Sequence, residues 1–141
     1  MKPLLFGFIL VSLVMRAASL EVVKSETNPK KRAVLALDNC EAAMNEARNA
    51  SHAGDWKKMA AAFQEVDASA DLCYTSLHET DKPPRKNPLY KRAELKLRSL
   101  IRMMAGVTND IPYDERAAAN QTQQHLQEVH DKILNEEMQK R

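Results

Sequence analysis

The fold is decided by residues 33–77, AVLALDNCEAAMNEARNASHAGDWKKMAAAFQEVDASADLCYTSL, which carry two apolar stripes on either side of a short turn. In each half, apolar residues recur at steps of three and four, the spacing that lays one stripe along a helix. The stripes are Ala33, Leu37, Cys40, Met44 and Ala47 before the turn, and Trp56, Ala60, Phe63, Val66, Ala70, Cys73 and Leu77 after it. Because the connection is so short, the two predicted helices should fold back as antiparallel neighbours.

Two further helices are predicted beyond a linker that contains Pro83 and Pro84. Proline interrupts a helix, so this linker should separate two helical hairpins. Asn87-Pro88 starts the third helix, and Gly106 is predicted to end it. We therefore predict an all-α fold, an up-down, bundle-like arrangement of two antiparallel hairpins in a single domain. The expected domain spans residues 29–141, with helices at about 29–51, 55–79, 88–105 and 112–138.

The N-terminal residues have the three parts of a secretory signal peptide. Lys2 precedes an apolar run from Leu4 to Val14, and the small residues Ala17, Ala18 and Ser19 follow it. This run is about half of the roughly 20 residues that span a bilayer, so cleavage is favoured over an uncleaved anchor. We predict a signal peptide at 1–19, a loose arm at 20–28, and a periplasmic or extracellular location without a stable membrane span.

The charge balance argues against nucleic acid as a partner. The whole chain has a formal net charge of +2, with 21 basic and 19 acidic residues. Removal of residues 1–19 takes away Lys2 and Arg16 and no acid, which leaves 19 basic against 19 acidic residues. A duplex-binding module usually shows a strong basic excess.

Residues 50–70 resemble a single hairpin of the tetratricopeptide-repeat family. The resemblance rests on the turn Gly54-Asp55-Trp56 with Ala60, Phe63 and Val66 behind it. It implies the local shape of a helical hairpin. Met59 stands where a small residue is usual, and no second copy follows at the family's period. Since the family's peptide groove is made by stacked repeats, the resemblance implies no groove here.

Cys40 and Cys73 are the two cysteines of the chain. They lie about 13 and 19 residues from the turn, a mismatch of roughly 9 Å along straight helices. A disulfide needs Cα atoms within about 7 Å, so the spacing favours two buried free thiols. An offset crossing or a bent helix would instead allow a disulfide, which an export compartment permits.

A haem site is one alternative function. Met44 on the first helix and His125 on the last are predicted at similar heights, and the chain resembles exported four-helix b-type cytochromes in size, export and layout. That resemblance implies Met44 and His125 as axial ligands, although neither has a haem-specific motif around it. The other histidines, His52, His78 and His130, lack metal-ligand spacing, so all four are expected to be solvated and no metal or cofactor is predicted.

Basic residues are concentrated in the linker and the third helix. Residues 82–102 contain eight basic residues and one acid, Glu94, whereas residues 110–137 contain seven acids and two bases. One interpretation is that the third helix packs beside acidic neighbours. The other is a basic strip that meets an anionic partner. The residues of that strip are Arg85, Lys86, Lys91, Arg98 and Arg102.

The sequence contains none of the familiar catalytic motifs, such as a nucleophile elbow, a phosphate loop or a zinc-binding pattern. Its general character resembles that of uncharacterised exported bacterial helical-bundle proteins. We therefore predict a non-enzymatic binding or structural module whose partner is an unknown protein or an anionic surface. The haem carrier and an enzyme with a scattered site are the alternatives.

Overall fold

The computed structural model describes residues 20–139, which are helical apart from short connections. The long helices are α1 (Pro29–His52), α2 (Trp56–His78), α3 (Pro88–Asp110) and α4 (Ala117–Met138), with 3-10 turns at Pro84–Lys86 and Tyr113–Glu115. The predicted all-α class is confirmed. The predicted signal peptide at 1–19 lies outside the described residues.

Residues 20–25 form a short helix, where a loose arm was predicted. Val23 in this helix is only 5% exposed and belongs to the hydrophobic core. Burial of the Val23 side chain contributes about 1.5 kcal/mol or more, and Arg32 Nη1 donates to the Glu26 carbonyl oxygen at 2.9 Å, which ties the end of this segment to the bundle. The loose-arm prediction is therefore wrong for these residues.

Asparagine and aspartate caps begin three of the helices where the sequence places them. The side chain of Asn28 accepts hydrogen bonds from the backbone N–H groups of Lys30 and Lys31. Asp55 accepts one from Lys58, and Asn87 accepts one from Leu89. Each cap satisfies donors that have no partner within the first turn of the helix.

Two predicted helix ends differ from the structure. Helix α3 continues through Gly106 to Asp110, although the sequence predicted its end at 105. Its apolar stripe continues beyond the glycine, with Val107 and then Ile111 buried, and their burial outweighs the helix penalty of about 1 kcal/mol for glycine. Helix α4 begins at Ala117 instead of 112, because residues 113–115 form a 3-10 turn first.

The helices surround one hydrophobic core. Helix α1 packs mainly on α2 and α3 mainly on α4, while α2 also contacts α4 and α1 also contacts α3. Arg32 near the start of α1 donates from Nε to Ser76 Oγ near the end of α2, at 2.8 Å. The largest fully buried side chains include Met44, Met59, Phe63, Leu77, Leu97, Leu100, Met104, Ile111, Leu126 and Ile133. This packing brings the linker turn against the beginning of α3 and the end of α4.

The two glycines of the described chain provide a matched test of backbone conformation. Gly54 has a φ of +71°, and Gly106 lies within α3; at either position an added Cβ would meet nothing within 4 Å. Gly54→Ala should lower the free energy of unfolding by about 1 to 2 kcal/mol, because an L-residue is strained in the left-handed region. Gly106→Ala should raise it by about 0.5 to 1 kcal/mol through helix propensity. Urea unfolding of both variants measures the two changes in the free energy of unfolding. Changes of the same sign would contradict the left-handed backbone at Gly54 or the helical backbone at Gly106.

Candidate functional site

A cleft opens where the linker meets the C-terminal ends of α2 and α4. It consists of two adjoining cavities of about 720 and 420 Å³, which share Pro83, Pro84, Glu136 and Gln139. The larger cavity is also lined by His78, Lys82 and Tyr90, and the smaller one by Arg85 and Lys86. We call this region the linker-end cleft. Each cavity by itself falls in the range of about 300 to 1,000 Å³ that is typical of small-ligand sites.

Glu136 occupies the centre of the linker-end cleft and is held by its neighbours. Tyr74 donates its hydroxyl to Glu136 Oε1 at 2.7 Å, and His78 Nε2 lies 2.9 Å from both carboxylate oxygens. Burial, together with the nearby Glu136 carboxylate, raises the pKa of Tyr74 and of Tyr90 to about 12. Both phenols therefore stay protonated at neutral pH, and Tyr74 acts as a donor to Glu136.

The other acids around the cleft are also paired within the protein. Glu79 forms an ion pair with Arg32, and Asp81 lies 3.4 Å from Lys30. A backbone hydrogen bond, followed by the contacts with Lys30, lowers the pKa of Asp81 below its ordinary value. Glu79 and Asp81 are thus paired with bases of the chain, whereas the contacts of Glu136 are the Tyr74 hydroxyl and the His78 ring.

The basic residues of the linker are not paired with acids in this way. Lys82, Arg85 and Lys86 are exposed. Among residues 20–139, none of these three forms an ion pair within 4.0 Å. The side chains that line the linker-end cleft include three bases, Lys82, Arg85 and Lys86, and two acids, Asp81 and Glu136, which gives a formal charge of +1 with His78 neutral. It is the place where two residues of the predicted basic strip, Arg85 and Lys86, line a cavity.

Two other residues of the predicted strip, Lys91 and Arg98, contact a buried acid. Glu94 has no exposed side-chain surface and forms an ion pair with Arg98, while Lys91 Nζ lies 3.5 Å from its Oε2. His130 Nε2 on α4 lies 3.0 Å from Glu94 Oε1. Lys91 and Arg98 therefore each contact Glu94, while their side chains stay 55% and 45% exposed. Arg102 remains exposed on the same helix.

His130 corrects the expectation that all four histidines are solvated, because it is only 7% exposed. Its Nδ1 lies 3.1 Å from Asp131 Oδ1, so the ring is placed between two carboxylates. Burial alone would raise the pKa of Glu94. The hydrogen bonds from His130 and Arg98 and the charges of Arg98 and Lys91 outweigh it, and the pKa lies below its ordinary value.

Sequence reasoning missed the buried role of Glu94, although one local signal was present. Glu94 lies beside Ala93 and three residues before Leu97, both of which are buried on the apolar stripe. Basic residues stand three positions before it and four after it, the spacings at which helical side chains meet. An acid next to the apolar stripe, with a base one helical turn away on each side, indicates a buried acid that is paired with those bases.

Cys40 and Cys73 are free, buried thiols. Cys40 Sγ lies 3.5 Å from the carbonyl oxygen of Val66 and donates to it. Burial raises the pKa of the Cys73 thiol to about 12. Burial, then the neighbouring Cys73 and Asp67, raises the pKa of Cys40 further. Both side chains pack as small apolar groups.

Met44 and His125 occupy different surroundings. Met44 has no exposed surface and lies in the core, on α1. His125 is partly exposed on α4, and its Nε2 lies 2.7 Å from Asp71 Oδ1 on α2. Helices α1 and α4 are not close neighbours in the bundle. This placement gives no support to the pairing of Met44 and His125 as axial ligands.

No group of three or more histidine, cysteine or acidic side chains within residues 20–139 could hold a metal ion. No helix in this part of the chain has the length and apolar character needed to cross a membrane.

Comparison of the chain with family models, with curated proteins and with solved structures found no match.

Proposed function

We propose that this chain is an exported, non-catalytic binding module that recognises an anionic partner through the basic residues near its linker. The observation that carries the proposal is the charge arrangement at the linker end of the bundle. There Glu79 and Asp81 are paired with Arg32 and Lys30, whereas Arg85 and Lys86 are exposed and form no ion pair with another described residue. Exposed charges of one sign attract a partner of the opposite sign and steer its approach.

The partner-binding surface is narrower than the sequence suggested. Lys91 and Arg98 form ion pairs with Glu94, so the residues of the predicted strip without an ion pair in the described chain are Arg85, Lys86 and Arg102. Arg102 lies 16 positions beyond Lys86, most of them within α3, which places it roughly 20 Å away along the helix. The proposed surface thus runs from the linker-end cleft along α3.

Two finer structural proposals accompany this function. We propose that the four helices form two antiparallel hairpins. The contact of Arg32 with Ser76 and that of Cys40 with Val66 both support this for α1 and α2. We also propose that residues 1–19 are a cleaved signal peptide, on the basis of Lys2, the apolar run and the small residues before Leu20. N-terminal sequencing of the exported chain tests the cleavage.

A charge-reversal variant tests the binding function. Arg85→Glu/Lys86→Glu/Arg102→Glu should lose binding to poly-L-glutamate by at least about tenfold, because charge-assisted contacts are replaced by repulsion. All three residues are exposed, so the helical circular dichroism should stay unchanged. Fluorescence anisotropy of labelled poly-L-glutamate at low salt and at physiological salt provides the measurement.

The matched control has the same change in net charge at a different place. Arg48→Glu/Lys57→Glu/Lys58→Glu also reverses three exposed basic residues, on α1 and α2. It should bind poly-L-glutamate within about threefold of the wild type, since it leaves the proposed surface intact. Equal losses in both variants would mean that only overall charge matters, and unchanged binding in the first variant would refute the proposed surface.

A further inference from the structure

We propose that the linker-end cleft binds a carboxylate of an acidic peptide segment, with Arg85 and Lys86 as the residues that hold it. This inference rests on the proposed function and adds to it the class of partner and the position of the contact. The smaller cavity, of about 420 Å³, is lined by both basic residues together with Pro83, Pro84, Glu136 and Gln139. An acidic side chain or a terminal carboxylate fits a cavity of this size.

The backbone that carries the two basic residues is anchored. Lys86 donates its backbone N–H to Pro83 O at 2.9 Å, which closes the 3-10 turn. The next residue, Asn87, is only 4% exposed and donates from Nδ2 to Thr80 Oγ1 at 2.9 Å. Thr80 Oγ1 in turn donates to Leu77 O at 2.6 Å. The turn is therefore fixed to the end of α2. Ligand binding would then lose little conformational entropy in ordering the turn.

The chemistry of the basic residues favours a carboxylate. The guanidinium of Arg85 can donate two parallel hydrogen bonds to one carboxylate, and the Lys86 ammonium adds a point charge beside it. Within residues 20–139, neither Glu136 nor Asp81 forms an ion pair with Arg85 or Lys86. Glu136 is held by Tyr74 and His78, and Asp81 by Lys30.

The shape of the site favours a peptide over a lipid surface. Arg85 and Lys86 line a concave cleft, which a protruding side chain can enter and a flat bilayer cannot. Glu136 lines both cavities, and its carboxylate would lie close to any dense layer of lipid phosphates. A single carboxylate beside Arg85 and Lys86 brings one negative charge into the cavity that Glu136 also lines, whereas a lipid layer brings several phosphates, so a peptide meets less of that repulsion.

The test uses a fluorescein-labelled peptide with four glutamates and a matched peptide with four glutamines. The glutamate peptide should bind the wild type, and Arg85→Glu/Lys86→Glu should weaken that binding by about tenfold or more. Arg102→Glu, which changes a basic residue outside the cleft, should change the dissociation constant by less than about threefold. Arg85→Lys should give an intermediate loss, because it keeps the charge and removes the paired hydrogen bonds.

The outcomes separate this inference from the function on which it rests. Equal weakening in Arg102→Glu and in the double variant would overturn the cleft as the contact and leave the wider basic surface supported. Unchanged binding in both variants would overturn the cleft and the proposed surface together. Binding to phosphatidylserine vesicles without binding to the glutamate peptide would also overturn the inference, because it would make a lipid surface the partner. Equal binding of the glutamine peptide would show that the carboxylate is not recognised.

Discussion

His130→Leu should lower the free energy of unfolding by about 3 kcal/mol at neutral pH. The side chain of Glu94 has no exposed surface, and His130 Nε2 is 3.0 Å from its Oε1. Loss of one hydrogen-bond partner of a buried group costs about 1 to 3 kcal/mol, and more where the group is charged. A value near the upper end applies because Glu94 has no exposed side-chain surface, although Arg98 and Lys91 still contact it.

The double variant Glu94→Leu/His130→Leu identifies the cause of this loss. It removes both members of the pair and fills the space with apolar groups, so it should be more stable than His130→Leu alone. Urea unfolding of the wild type, both single variants and the double variant completes the cycle. Strictly additive effects would show that His130 contributes by packing alone.

The pH dependence of the same variants provides a second check on the pair. The pKa of Glu94 is lowered in the folded chain, and so is that of Asp131, chiefly through its hydrogen bond with His130. A lowered pKa stabilises the fold above the unfolded-state pKa, about 4, and this contribution is lost as the pH falls through the folded-state value. The wild type should therefore lose more stability than His130→Leu on acidification from pH 6 to pH 3.

Local sequence signals predicted the helices better than they predicted the contacts between them. Asn28-Pro29 and Asn87-Pro88 mark the two helix starts because capping depends on neighbouring residues alone. The end of α3 was missed at Gly106, since the decisive burial of Ile111 depends on other helices. Val23 was missed for the same reason, because a single apolar residue in a polar segment has no periodicity.

The two polar sites depend on pairings between distant parts of the chain. Glu94 and His130 are 36 positions apart, and a helical pattern does not reveal which face the next helix covers. The linker-end cleft likewise joins Tyr74 on α2 with Glu136 on α4, 62 positions apart. The sequence identified Arg85 and Lys86 as binding candidates through their charge. The cavity beside them is formed by the packing of the helices, and the charge pattern of the sequence does not reveal that packing.

Iodoacetamide should react with Cys40 and Cys73 at least about a thousandfold more slowly in the native chain than in urea. Only the thiolate reacts, and burial raises the pKa of Cys73 from 9.0 to about 12, so its thiolate fraction at neutral pH falls by about three orders of magnitude. Cys40 is also buried, and its pKa is raised in the same direction. Mass spectrometry of timed samples counts the adducts.

Two controls distinguish buried free thiols from a disulfide. One is a variant with an exposed thiol, and the other is an unfolded sample. Ser99 is exposed on α3, so Ser99→Cys should gain one adduct rapidly in the native chain while Cys40 and Cys73 stay unmodified. Two adducts on the wild type in urea and none in the native chain would establish two buried free thiols. An unfolded chain that takes up no adduct and is two hydrogens lighter, as expected for cystine, would contradict the free thiols. Helices α1 and α2 would then have to cross closely enough to bring Cys40 and Cys73 into bonding distance, an offset that would shift the linker and the cleft beside it.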